Sequence, residues 1–185
     1  STATDVAPLT VTAVNDAPTA TNLNAAEGYT EDTPLNLIDI VASDVDHATT
    51  TATLTLSNTA AGSLSTGTSG AVTSTYVAGT GVWTASGAMA NVNTLLAGVI
   101  FTPAANFNSS FTIATSVSDG VAPATTGSKA LTGTAVNDAP TATNLNAAET
   151  YTENVALNLI DIVVSDVDHA TTTATLTLSN AAAGS

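Results

Sequence analysis

The chain has 185 residues, 15 acidic side chains against a single basic one (Lys129), a formal net charge of −14 and no cysteine. That balance repels nucleic acid and anionic membrane surfaces, and the lack of cysteine excludes disulfides and thiolate metal or redox chemistry. No segment reaches the roughly 18 to 20 apolar residues of a membrane span, and none reads as a signal peptide, so targeting information is expected outside these residues.

In chain order, Ser1–Val14 reads as the last strand of a preceding unit. The phrase AVNDAPTATNLNAAE follows at Ala13–Glu27 and recurs unchanged at Ala135–Glu149. A displacement of 122 residues aligns Asn15–Ser63 with Asn137–Ser185 at every position except Gly28/Thr150, Asp32/Asn154, Thr33/Val155, Pro34/Ala156, Ala42/Val164 and Thr59/Ala181. A period of this length is the usual size of one compact core, so the repeat is read as the domain. One complete repeat is expected over 15–136 and the start of another over 137–185. The proline of each NDAP turn fixes φ and biases the alanine before it toward extended backbone.

Strand signals dominate, because Thr-rich stretches alternate with apolar residues at period two. Ala52, Leu54 and Leu56 alternate with Thr53, Thr55 and Ser57, as do Phe111, Ile113 and Val117 with their polar neighbours. Both read as half-buried antiparallel strands. Further strands are expected near Thr19–Ala25, Leu35–Val41, Ala71–Ala78, Gly81–Ser86, Val99–Thr102 and Lys129–Ala135, with a tight hairpin at Gly79-Thr80. The spacing of Met89, Val92, Leu95 and Leu96 before Gly98 predicts one short helix per repeat. Seven or more short strands with regular turn signals predict an all-β fold of tandem immunoglobulin-like or cadherin-like β-sandwich repeats.

Charge is unevenly placed. From His47 to Ser118 there is no Asp, Glu, Lys or Arg, whereas Asp16, Glu27, Glu31, Asp32, Asp39, Asp44 and Asp46 crowd into the first third of the repeat. Carboxylates gathered without cations repel one another unless water or a bound cation separates them. Tracing the strands of a sandwich puts the loop Ser43–Thr50 and the turn Ser118–Gly127 beside the first NDAP turn. One candidate calcium cluster is therefore Asp16, Asp44, Asp46 and Asp119. The turn Glu27–Pro34 is expected at the opposite pole, which gives a second cluster of Glu31, Asp32, Asn137, Asp138, Asp166 and Asp168. Calcium takes six to eight oxygen ligands in irregular geometry, whereas magnesium wants a smaller octahedral shell, so Ca2+ is the expected cofactor. Glu27 and Asp39 are expected to be solvated.

The phrases EDTPLNLIDIVASDVDH, NVNTLLAGVIFTPAANFNSSFTIATSVSDG and AVNDAP together resemble the bacterial cadherin-like repeats of giant secreted adhesins and biofilm proteins. The resemblance covers the repeat from end to end. The cadherin L-D-R-E element is absent, which implies one or two ions per junction. The resemblance implies a structural stalk on the surface of a Gram-negative bacterium, exported by type I secretion, with neighbouring repeats as partners and calcium stiffening each junction. The alternatives are a filament or sheath subunit assembled from other copies of the chain, and a module that binds a glycan or protein ligand.

The loop beginning at Asp44 fails as an EF-hand because Ala48, Thr49 and Thr55 stand where a ligand, a glycine and a glutamate belong. His47 follows the Asp44-Val45-Asp46 pair directly, but one histidine per junction makes a poor transition-metal site, and an exposed side chain is expected. Trp83, Tyr29 and Tyr76 read as core or edge packing rather than a sugar-stacking face, and Lys129 would be needed for an isopeptide and Asn108 for a glycan. No nucleophile, base and acid pattern points to an enzyme.

Overall fold

A computed structural model describes Pro8 and residues 10–180, and these form mostly β-sheet with a single α-helix among them. No helix among the described residues is long and apolar enough to cross a membrane. The chain divides after Ala135 into two compact units. The strand expected over Ser1–Val14 lies largely outside the described residues, and Thr10–Val14 form no strand.

The first unit runs through β1 (Thr19–Ala20), β2 (Glu27–Thr30), β3 (Leu35–Asn36), β4 (Ala42–Ser43) and β5 (Thr49–Leu56). A 3-10 turn (Thr59–Ala61) leads to β6 (Gly62–Leu64), β7 (Thr68–Ser69), β8 (Val72–Thr73), β9 (Thr75–Val77) and β10 (Val82–Ala88). Helix α1 (Met89–Ala97), β11 (Ile100–Pro103), β12 (Phe111–Ser118) and β13 (Thr125–Thr134) complete it. A six-stranded sheet has the order β2-β13-β12-β5-β10-β9, and a three-stranded sheet has the order β3-β11-β6. Short pairs β1-β4 and β7-β8 flank them.

The period-two pattern explains the long central strands. Along β5 the apolar residues Ala52, Leu54 and Leu56 are buried and the threonines between them are half-exposed, as alternation on a pleated strand requires. Strand β12 does the same with Phe111, Ile113 and Val117. Side chains from both sheets share one core. Phe101 on β11 lies 5.0 Å from Phe111 on β12 and 5.3 Å from Tyr29 on β2, ring centre to ring centre. Helix α1 buries Val92, Leu95 and Leu96 and is capped at Gly98, as the spacing predicts.

Several strands are shorter than expected, for identifiable reasons. The Thr19–Ala25 strand stops after Ala20 because Asn22 takes a left-handed backbone (φ 59°), a conformation that asparagine tolerates. Leu35–Val41 pairs only over Leu35–Asn36, although Leu37 still donates to Val99 O at 3.0 Å. Ala71–Ala78 is split into β8 and β9, whose hairpin with β10 uses Gly81 (φ 68°) as its left-handed residue. Glu27–Thr30 is a strand, not a turn, and pairs parallel to β13.

The second unit contains β14 (Thr141–Ala142) paired antiparallel with β15 (Val164–Ser165), which repeats the pairing of β1 with β4 at the same register.

Candidate metal centre

Three loops of the first unit converge where its chain begins. The Asn15-Asp16 turn lies against the loop between β4 and β5 and against the turn between β12 and β13. Asp16 N–H donates to Asp46 Oδ2 at 2.7 Å, and Asn15 Nδ2 donates to Asp119 Oδ2 at 2.8 Å. Asp44 Oδ1 accepts the backbone N–H groups of Asp46 and His47 at 2.8 and 2.9 Å, a turn in which the carboxylate organises its own loop. Asp119 Oδ1 does likewise for Val121 and Ala122 at 2.9 and 3.0 Å.

Residues outside the acidic phrases set this arrangement. Asn93 on α1 pairs with both backbone groups of Ala42, accepting from its N–H and donating to its carbonyl at 2.9 Å each, and so fixes β4 just before Asp44. Met89 N–H donates to Ala48 O at 2.8 Å, which ties the helix start to the far end of the same loop. Thr50 Oγ1 donates to Ser118 O at 3.0 Å and aligns the residue before Asp119. Thr125 Oγ1 donates to Pro18 O and holds the linker on β13. Asn93 has no signal in the sequence beyond its place on a helix, because its partner is 51 residues away.

The centre holds polar atoms that the protein does not satisfy. The side chains of Asp44 and Asp119 are fully buried (0% exposed). Asp44 Oδ2, Asn15 Oδ1 and His47 Nδ1 are each buried without a hydrogen-bond partner. Buried polar groups are nearly always paired, and a buried carboxylate oxygen without a donor is expensive. The amide of Asn15, followed by the N–H groups of Val121 and Ala122, holds the Asp119 carboxyl below its ordinary value. Ligand atoms of Asp44, His47 and Asp119 lie within 4.8 Å of one another, the one such group of three among the described residues. Asp16 and Asp46 are exposed at its edge.

No known protein-family model matches this chain, and no curated protein does either. The reading of the centre therefore rests on its own chemistry.

The other predicted ligands fall in two places. Glu31 is buried (1% exposed), its Oε2 accepts from Asn108 Nδ2 at 3.0 Å, and its N–H donates to Thr134 O at 3.1 Å. Asp32 is exposed in a left-handed turn (φ 56°) and accepts from Asn106 N–H at 3.2 Å. Both lie beside the last residue of β13, whereas Asp119 lies in the turn between β12 and the start of β13. These groups therefore sit at opposite ends of a ten-residue strand, roughly 30 Å long.

Asn137, Asp138, Asp166 and Asp168 belong to the second unit, where the local geometry of the first recurs. Asp138 N–H donates to Asp168 Oδ2 at 2.6 Å, and Asp166 Oδ1 accepts from Asp168 and His169 N–H groups at 2.9 Å each. Asn137 Nδ2 reaches Asp138 O at 3.0 Å, as Asn15 Nδ2 reaches Asp16 O. The backbone N–H of Asp168, followed by that of His169, holds Asp166 below its ordinary value.

Two expectations, those for Glu27 and His47, are corrected. Glu27 is not solvated: its Oε1 meets Lys129 Nζ at 2.8 Å with both side chains buried, and its Oε2 accepts from Ile38 N–H at 2.9 Å. Lys129 is thus committed to an ion pair. Trp83 and Tyr29 are buried and Tyr76 partly so, with their polar atoms bonded to Ser65 O, Ser109 O and Gly62 O, so the three form no exposed stacking face. His47 is only 33% exposed, and its Nδ1 is buried. Asp39 is exposed, as expected.

Proposed function

We propose that the chain is a spacer from the stalk of a large extracellular bacterial adhesin or biofilm-matrix protein, built of immunoglobulin-like sandwich repeats whose junctions calcium stiffens. The observation that carries this reading is the pair of buried, unpartnered oxygens, Asp44 Oδ2 and Asn15 Oδ1, beside the buried carboxylate of Asp119. Hard oxygens from three loops suit a calcium ion, with Asp16 and Asp46 at the rim completing the donor set. The bound ion would supply positive charge to carboxylates that no lysine or arginine approaches.

The residues do the mechanical work. Asn15 and Asp16 are already hydrogen-bonded to Asp119 and Asp46, so the linker is registered on two loops of the unit it precedes. An ion shared by the same groups adds its binding energy to that registration and couples linker order to calcium concentration. The matching turn at Asn137–Asp138 supports a device used once per repeat.

Calorimetric titration of the whole chain with calcium tests the reading, alongside melting with and without chelator. Binding is expected with a rise in melting temperature, both reduced in Asp44→Asn. A chain that neither binds calcium nor changes its melting temperature sinks the proposal.

A further inference from the structure

His47 Nδ1 is the one nitrogen among the unpartnered buried atoms of the centre. It lies 3.7 Å from Asp119 Oδ2 and 3.9 Å from Asp44 Oδ1. Those separations are too long for hydrogen bonds. They fall within a few tenths of an ångström of the spacing between neighbouring ligands around one small cation, about 3.4 Å for a tetrahedral shell with bonds near 2.1 Å. The loop holds the histidine there through its own backbone, because His47 N–H donates to Asp44 Oδ1 at 2.9 Å.

Calcium binds oxygen and has no use for an imidazole, whereas zinc, cobalt, nickel and copper favour one. Two carboxylates and an imidazole nitrogen, with the amide oxygen of Asn15 beside them, form a mixed nitrogen and oxygen set. We infer that the centre also takes a transition-metal dication of the zinc type, bound through His47 Nδ1 with Asp44 and Asp119, in competition with calcium. The inference rests on the reading of the Asn15 turn as a cation site and adds a second class of ligand that would regulate it. Binding either ion excludes the other, because both draw on the same two carboxylates.

The second unit is an internal control. His169 Nδ1 lies 3.5 Å from Asp166 Oδ1, but its side chain is 58% exposed, and no third ligand joins the pair among the described residues. Among the described residues there is therefore one complete mixed-ligand centre, and zinc is expected to bind there.

The test titrates the whole chain separately with zinc chloride, cobalt chloride and calcium chloride, in the wild type, His47→Gln and His169→Gln. Circular dichroism and melting confirm that each variant is folded. Zinc is expected to bind the wild type and His169→Gln equally and His47→Gln at least tenfold more weakly. Cobalt should give a visible absorption band that zinc abolishes and that His47→Gln lacks. Zinc binding unaffected by His47→Gln, or removed by His169→Gln instead, overturns the inference. Calcium binding without zinc binding also overturns it and leaves the calcium junction standing. Zinc binding through His47 without calcium binding supports it and removes the calcium junction, and binding of neither ion removes both.

Discussion

Lys129 is the only basic side chain in the chain, and it is spent in the interior rather than on the acidic surface. Its partner Glu27 lies 102 residues away on the strand that pairs with its own, so nothing local in the sequence marks the pair. Removing one member of such a pair strands the other charge away from water. Lys129→Met is expected to destabilise the first unit by about 3–5 kcal/mol in urea denaturation. Adding Glu27→Gln should recover part of this, because the amide oxygen still accepts from Ile38 without a buried charge. A single variant that loses less than about 1 kcal/mol would show the pair to be dispensable. Asp119 makes a second prediction. Its folded value lies below the ordinary 3.8, with the Asn15 amide as the largest cause, so folding favours its ionised form. That contribution is complete above the unfolded value and disappears as pH falls through the lower folded one. In calcium-free buffer, Asp119→Asn should therefore flatten the acid limb of the stability profile, and a profile parallel to the wild type would exclude Asp119 as the acid-sensitive group.

Helix α1 shows how an element can serve a site that it does not touch. Its apolar face packs Val92, Leu95 and Leu96 into the core, which the 3.6-residue spacing foretells. Asn93 reaches from the same helix to both backbone groups of Ala42 and thereby sets the start of the Asp44 loop. Asn93→Ala leaves a buried backbone N–H and carbonyl unpaired, at a cost of about 1–3 kcal/mol. Calcium affinity should fall with it, because the loop loses its anchor although every proposed ligand remains. Unchanged affinity in a titration of Asn93→Ala would mean that the turn around Asp44 holds itself. The strands divide along the same line. Long alternating stretches such as β5 and β12 were legible, because one face had to be buried. The early end of β3, the break between β8 and β9, and the short β4 were not, because such strands end where tertiary partners end.

At the scale of the whole molecule, the chain holds nearly the same sequence in two surroundings. Leu23, Leu37, Leu54 and Tyr29 are 2–6% exposed in the first unit, whereas their counterparts Leu145, Leu159, Leu176 and Tyr151 are 65, 52, 63 and 71% exposed in the second. Thr49–Leu56 forms a strand between β10 and β12, and the identical Thr171–Leu178 forms none. Hydrogen exchange should accordingly protect the amides of Thr49–Leu56 by at least a hundredfold over those of Thr171–Leu178, and equal protection would contradict this placement. What the sequence determined by itself is what recurs in both copies. Asn22 and Asn144 both turn left-handed, at φ 59° and 60°, the carboxylates of Asp44 and Asp166 both fold their own loops, and Glu27 and Glu149 both accept an N–H eleven residues on. These contacts close over short spans, so neighbouring residues suffice to make them. Only tertiary structure decided which alternating segment became a strand, which leucines were buried and which acid met Lys129, because a strand needs partners for its hydrogen bonds and an apolar face needs another to cover it.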